Sequence, residues 1–174
     1  MVAPVRQLYR DPAPVDPDRF AADRRFLVGL AAPVNVLSSA KREDDGRWVR
    51  TTFDDDAFRW CLWELDRGLH TVGLWLDHDP ARSLGTTDDG FFRVYAGPRG
   101  LQFAVDVTTA RGAVVRELLE RRPDEFGEVS IGYTLVECAE AAMLGGVVVR
   151  RVQMAVVDEI SLVSRGSMPS TWIR

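Results

Sequence analysis

The sequence predicts a mostly β, α+β domain: a closed or nearly closed antiparallel β-barrel with flanking helices. Strand-like runs dominate, and only two stretches carry a sustained helical period. The strands cluster instead of alternating strictly with helices, which disfavours a doubly wound parallel sheet. Gly, Asp and Pro clusters between the apolar runs supply the turns that such a meander needs.

A chain of 174 residues fits one domain. We expect a flexible N-terminal arm over residues 1–24 and a folded domain over 25–174. The arm carries Pro4, Pro12, Pro14 and Pro17 among alternating charges and lacks periodicity. Such a segment buries too little apolar surface to offset its ordering entropy, and suits a linker or a docking and cleavage segment.

Phe26–Leu37 is an apolar run interrupted by Gly29 and Pro33, which predicts a bent or edge strand. Asp44-Asp45-Gly46 signals a turn before a short strand at Arg47–Thr52. Asp54 is placed to cap a helix whose apolar positions Phe58, Cys61, Leu62 and Leu65 follow i, i+3, i+4, i+7 spacing, with Gly68 ending it. Thr71–Asp77 is the next strand. Asp88-Asp89-Gly90 and Gly97-Pro98-Arg99-Gly100 bound strands at Phe91–Ala96 and Leu101–Val107. A second helix spans Thr109 to Arg122, with Val114, Val115, Leu118 and Leu119 on its apolar face and Pro123 as its stop. Strands at Val129–Glu137, Val147–Val157 and Ile160–Ser164 complete the pattern.

Composition narrows function. Hydrophobic residues at 46% and charged residues at 28% are ordinary for a globular domain. A net charge of −4 argues against a nucleic-acid partner held by a basic face. No apolar run is long enough to span a bilayer and no signal-peptide pattern opens the chain, so no membrane partner and an intracellular site are expected. Cys61 and Cys138 lie far apart without metal-ligand spacing, and Cys61 reads as a buried free thiol.

Three segments carry candidate chemistry. His78 ends the apolar run Leu74–Leu76, flanked by Asp77 and Asp79, with Pro80 favouring an extended exit. Ser130 lies in Gly127–Tyr133, where Ser130, Gly132 and Thr134 share one strand face and Val129, Ile131 and Tyr133 the other. Gly132 would leave room beside the hydroxyl for a substrate chain. The segment lacks the Gly-x-Ser-x-Gly elbow, so an α/β-hydrolase is excluded at the motif. Glu159 and Asp158 are adjacent in Val156–Val163, and strict alternation puts them on opposite faces. A histidine, a serine and an acid can form a hydrolase triad: serine as nucleophile, imidazole as base, carboxylate to fix the tautomer. Asp77, His78 and Asp79 offer a metal-hydrolase alternative, weak because successive side chains on an extended chain diverge. His70, in the loop between helix and strand, is the weaker base candidate.

Asp77-His78, Ser130-Ile131-Gly132-Tyr133, Glu159-Ile160-Ser161-Leu162-Val163 and the tail Met168-Pro169-Ser170-Thr171 together resemble the tailed-phage prohead maturation proteases. Gly46-Arg47-Trp48, Asp56-Ala57-Phe58, Leu84-Gly85-Thr86 and Gly100-Leu101 extend the resemblance from about Phe26 to Thr171. Tyr133 stands where the family usually has phenylalanine, and Met168 where it has alanine. The resemblance implies a barrel wrapped by helices, like herpesvirus assemblin, and a serine endopeptidase with His78, Ser130 and Glu159 as its catalytic residues. It implies no cofactor and no metal. It implies cleavage of phage scaffold or major capsid protein or both, and often of the protease itself, inside the assembling prohead in the bacterial host cytoplasm. A homo-oligomer is expected. The alternative of another class is a catalytically silent assembly or scaffolding protein with the same fold.

Overall fold

The computed structural model describes residue 20 and residues 22–142 and 145–174, the side chain of residue 142 excepted. Of the expected arm, residues 1–19 and 21 lie outside the described residues. Phe20, near its end, is buried with its ring centroid 4.9 Å from that of Phe26 and 5.3 Å from that of Tyr95.

The strands are β1 (Phe26–Pro33), β2 (Lys41–Arg42), β3 (Trp48–Phe53), β4 (Gly73–Leu76), β5 (Asp79–Thr86), β6 (Phe92–Gly97), β7 (Gly100–Asp106), β8 (Glu128–Ala142), β9 (Val147–Val163) and β10 (Trp172–Ile173). The helices are α1 (Arg59–Asp66), α2 (Ala110–Arg121) and α3 (Pro123–Phe126). One sheet runs β10-β1-β7-β6, and the other runs β2-β3-β9-β4-β5 with β8 on the free side of β9. Inner faces of both sheets contribute to one core, among them Phe53, Leu74, Phe103, Val129 and Ile160. The mostly β, α+β class holds. The closed barrel is not found: the pairings among the described residues leave two open sheets, linked by an isolated bridge from Val34 to Phe53. Nor is every pairing antiparallel, because β3 and β4 both run parallel to β9.

Local chemistry explains most elements. Gly68, at φ 64°, ends α1 with Leu69 N–H bonded to the Glu64 carbonyl and Gly68 N–H to that of Leu65, a Schellman arrangement. Thr109 caps α2 by accepting from Gly112 N–H at 3.1 Å. Asp54 does not cap α1, which starts after Phe58; its carboxylate pairs with Arg151 instead. Pro123 stops α2 and opens α3, where its missing N–H costs nothing. The strand β5 escapes the apolar pattern because it is an exposed edge carrying Pro80.

The long strand β9 organises the half of the molecule that bears the candidate residues. Its first part pairs with β3 through Val152, and its last part pairs with β4 from Glu159. β3 and β4 thus lie end to end along one edge, leaving residues 153–158 without a strand partner there. The segment around α1 fills the gap. Ala155 N–H bonds to the Ala57 carbonyl at 2.9 Å, and Val157 N–H meets Cys61 Sγ at 3.4 Å. His70 Nε2 donates to the Val157 carbonyl at 2.7 Å. Cys61 is a buried free thiol, and burial pushes its pKa up to about 11.

The two strands expected at 147–157 and 160–164 are one strand, whose register against β8 shifts near Glu137 and again at a bulge at Asp158. Gly132 pairs with Glu159 and Tyr133 with Val157, so Asp158 has no partner on β8. Ala155 and Val157 face the core before the bulge; Ile160 and Leu162 face it afterwards. The extra residue changes the phase of the strand by one.

His70→Ala is expected to lower unfolding stability by about 1–2 kcal/mol, because it strips the Val157 carbonyl of its main partner. Urea unfolding measures this, and an unchanged midpoint would show that the edge of β9 does not need the imidazole.

Candidate active site

The bulge determines which side chains share the outer face of this sheet. Val129, Ile131 and Tyr133 of β8 turn to the core, so Ser130, Gly132 and Thr134 face away from it. Across the ladder, Ser130 pairs with Ser161 and Gly132 with Glu159, while Thr134 Oγ1 donates to Asp158 at 3.0 Å. Asp158 and Glu159 therefore both reach this outer side, and the strict alternation expected from the sequence breaks at the bulge. Asp158 is exposed; Glu159 is only 3% exposed.

His78 arrives from the opposite direction. Asp77 and His78 form the two-residue turn between β4 and β5, with φ of 53° and 60°, and Leu76 pairs with Asp79 across it. Two positive φ values are the mark of a type I′ hairpin turn, and Asp and His are among the non-glycine residues that tolerate that region best. The turn folds the imidazole back over the sheet. His78 Nδ1 lies 2.5 Å from Glu159 Oε1. The buried carboxylate needs partners for both oxygens, and Ser161 Oγ supplies the second by donating to Oε2 at 2.6 Å. The same Ser161 Oγ accepts the backbone N–H of His78 at 3.1 Å.

Two glycines flank Glu159 in the register, Gly132 on β8 and Gly73 on β4. A Cβ at Gly132 would stand 2.5 Å from Glu159 Oε1. The space that the sequence assigns to a substrate chain is thus filled by the carboxylate. At Gly73, a Cβ would stand 2.4 Å from Trp75 Nε1, so the indole folds over that glycine beside Glu159. Neither Gly73, Trp75 nor Ser161 is singled out by sequence reasoning. Only the i, i+2 spacing of Glu159 and Ser161 hinted that the two share a face.

The structure therefore brings His78 and Glu159 together and sets Ser130 on the same outer face, directly across the ladder from Ser161. It makes no hydrogen bond between Ser130 and His78 among the described residues. The Ser130 side chain, nearly buried at 7%, has no hydrogen-bond partner among them either. The His78 side chain is 45% exposed, and no described residue bonds its Nε2. The members of Asp77-His78-Asp79 go to three different partners. Asp77 pairs with Arg82 at 2.5 Å, His78 with Glu159, and Asp79 Oδ1 accepts Ala81 N–H at 2.9 Å. A cleft of about 900 Å³ lies elsewhere, between α1 and β6, and none of His78, Ser130 or Glu159 lines it.

A buried carboxylate lies on Nδ1 of a solvent-facing imidazole, and a serine hydroxyl without a partner among the described residues shares the sheet face; acyl transfer uses groups of these three kinds. The sequence profile of the caudovirus prohead serine proteases matches residues 26–174. The chain belongs to that family. A member of the prohead serine proteases is a phage capsid-maturation protease, and the matched range takes in His78, Ser130 and Glu159. No curated protein and no solved structure matches the chain. Among the described residues, no helix is long and apolar enough to cross a membrane.

Gly132→Ala is expected to displace the Glu159 carboxylate, lowering stability by about 1–2 kcal/mol and proteolytic rate more steeply than stability. A crystal structure of the variant with Glu159 still on His78 Nδ1, together with full activity, would overturn this reading of the glycine.

Proposed function

We propose that this prohead protease is a serine endopeptidase with Ser130 as nucleophile, His78 as general base and Glu159 as the residue that orients the base. The observation that carries the reading is the 2.5 Å contact between His78 Nδ1 and Glu159 Oε1. With Nδ1–H committed to the carboxylate, Nε2 is left as the lone-pair nitrogen, the tautomer a base requires. Ser161 is the competing hydroxyl on the face, but it is fully buried and engaged on both sides. The Ser130 hydroxyl has no partner among the described residues, which favours it.

The steps follow from those roles. Ser130 Oγ attacks the scissile carbonyl while His78 Nε2 takes its proton, and Glu159 stabilises the resulting imidazolium. Collapse of the tetrahedral intermediate releases the amine, protonated by His78, and leaves an acyl-serine. Water, deprotonated by the same imidazole, then frees the acid. Protein groups and water complete the sequence. Substrate binding has to close the distance between Ser130 and His78, as catalytic hydrogen bonds commonly tighten on the way to the Michaelis complex.

The substrates we infer are the scaffold and the N-terminal region of the major capsid protein, with self-cleavage as part of the same programme. The work takes place inside the assembling prohead in the host cytoplasm. Cutting those segments away would make shell expansion irreversible.

Ser130→Ala and His78→Ala are each expected to reduce cleavage by several orders of magnitude without unfolding the protein, and Glu159→Gln to reduce it less. Co-expression with the capsid protein, followed by intact mass measurement of both products, reads this out. Undiminished processing by Ser130→Ala would end the assignment.

A further inference from the structure

We propose that Ser161 is a positioning residue: its hydroxyl locks the carboxylate of Glu159 and the turn bearing His78 into one hydrogen-bonded ring that sets the imidazole's tautomer. The inference rests on the triad reading above and concerns a residue outside it. Starting at His78, the backbone N–H donates to Ser161 Oγ at 3.1 Å. Ser161 Oγ–H donates to Glu159 Oε2 at 2.6 Å. Glu159 Oε1 receives His78 Nδ1–H at 2.5 Å, which returns the ring to the residue where it began.

Each part of that ring answers a physical need. The hydroxyl has one proton to give and lone pairs to accept with, and it uses both functions. A carboxylate buried to 3% exposure, with only His78 as partner, could rotate about its terminal torsion, which is soft and roughly two-fold. Fixing Oε2 on Ser161 aims Oε1. The same hydroxyl holds the backbone of a residue in the sparsely occupied left-handed region, at φ 60°. Imidazole and carboxylate are thereby indexed to one atom of β9. Ser161 is fully buried, so no water can replace it without rearrangement.

The test uses the full chain and two readouts. The first is the rate at which a fluorophosphonate, a serine-directed probe, labels the protein. The second is the His78 tautomer, from long-range ¹H–¹⁵N spectra of ¹⁵N-histidine protein in a Ser130→Ala background; with two histidines in the chain the signals separate readily. Ser161→Ala is expected to slow labelling about 10- to 100-fold and to change His78 from the single Nδ1–H form to a mixture of tautomers. Ser161→Thr, which keeps the hydroxyl, restores most of the rate. In a Glu159→Gln background, removing the Ser161 hydroxyl adds little further loss, because the two groups act as a unit. If Ser161→Ala does not fold, Ser161→Cys fills the same volume with a weak hydrogen-bonding group and carries the comparison. Strict additivity with Glu159→Gln, or an unchanged tautomer in the Ser161 variants, would overturn the proposal. Failure of the wild-type protein to label would instead count against Ser130 as nucleophile, and the tautomer spectra would still decide the role of Ser161.

Discussion

One extra residue in β9 is the constraint on which the rest of this site depends. The core needs Ala155 and Val157 on one side of the bulge and Ile160 and Leu162 on the other. In an unbroken strand these sets would face opposite ways. Asp158 absorbs the mismatch, and Glu159 and Ser161 emerge on the outer face with Ser130. The bulge falls where β9 can tolerate it. Between the ladder to β3 and the ladder to β4, its edge is held by Ala57, Cys61 and His70, which need no strict strand register.

The buried carboxylate that the bulge creates imposes the next conditions. A carboxyl group at 3% exposure needs a partner for each oxygen. One oxygen meets the imidazole and the other the Ser161 hydroxyl. Side-chain volume is removed on both sides, at Gly132 for the carboxylate and at Gly73 for the indole of Trp75. The tight turn at Asp77-His78 then delivers the histidine over the sheet while leaving much of its ring in water. Burial of the acid and exposure of the base are two ends of one arrangement.

Reading the chain alone went furthest where structure is local. Gly68 ends α1, Thr109 opens α2, and the turns at Asp44–Gly46 and Gly97–Gly100 stand where glycine and aspartate signal them. It went less far where a pattern is polar or interrupted. The edge strand β5 has no apolar alternation to betray it, and Asp54 offered a plausible cap that the ion pair with Arg151 claims instead. Two strands were expected where β9 is one, because the phase change at Asp158 looks like a break when its partner strand is unknown.

The sequence by itself determined that the domain is mostly strand with few helices, that the chain resembles the prohead proteases, and that His78, Ser130 and Glu159 are the residues to examine. These conclusions rest on spacing along the chain and on short motifs, which do not require a partner. The tertiary structure alone decided that Glu159 and not Asp158 lies against His78, and that Ser161 joins them. It alone showed that Gly132 accommodates the Glu159 carboxylate, and that the pairings among the described residues form two sheets. Each of these depends on the register between strands far apart in sequence. Register is a property of pairs, fixed when the whole core packs, and no single segment carries it.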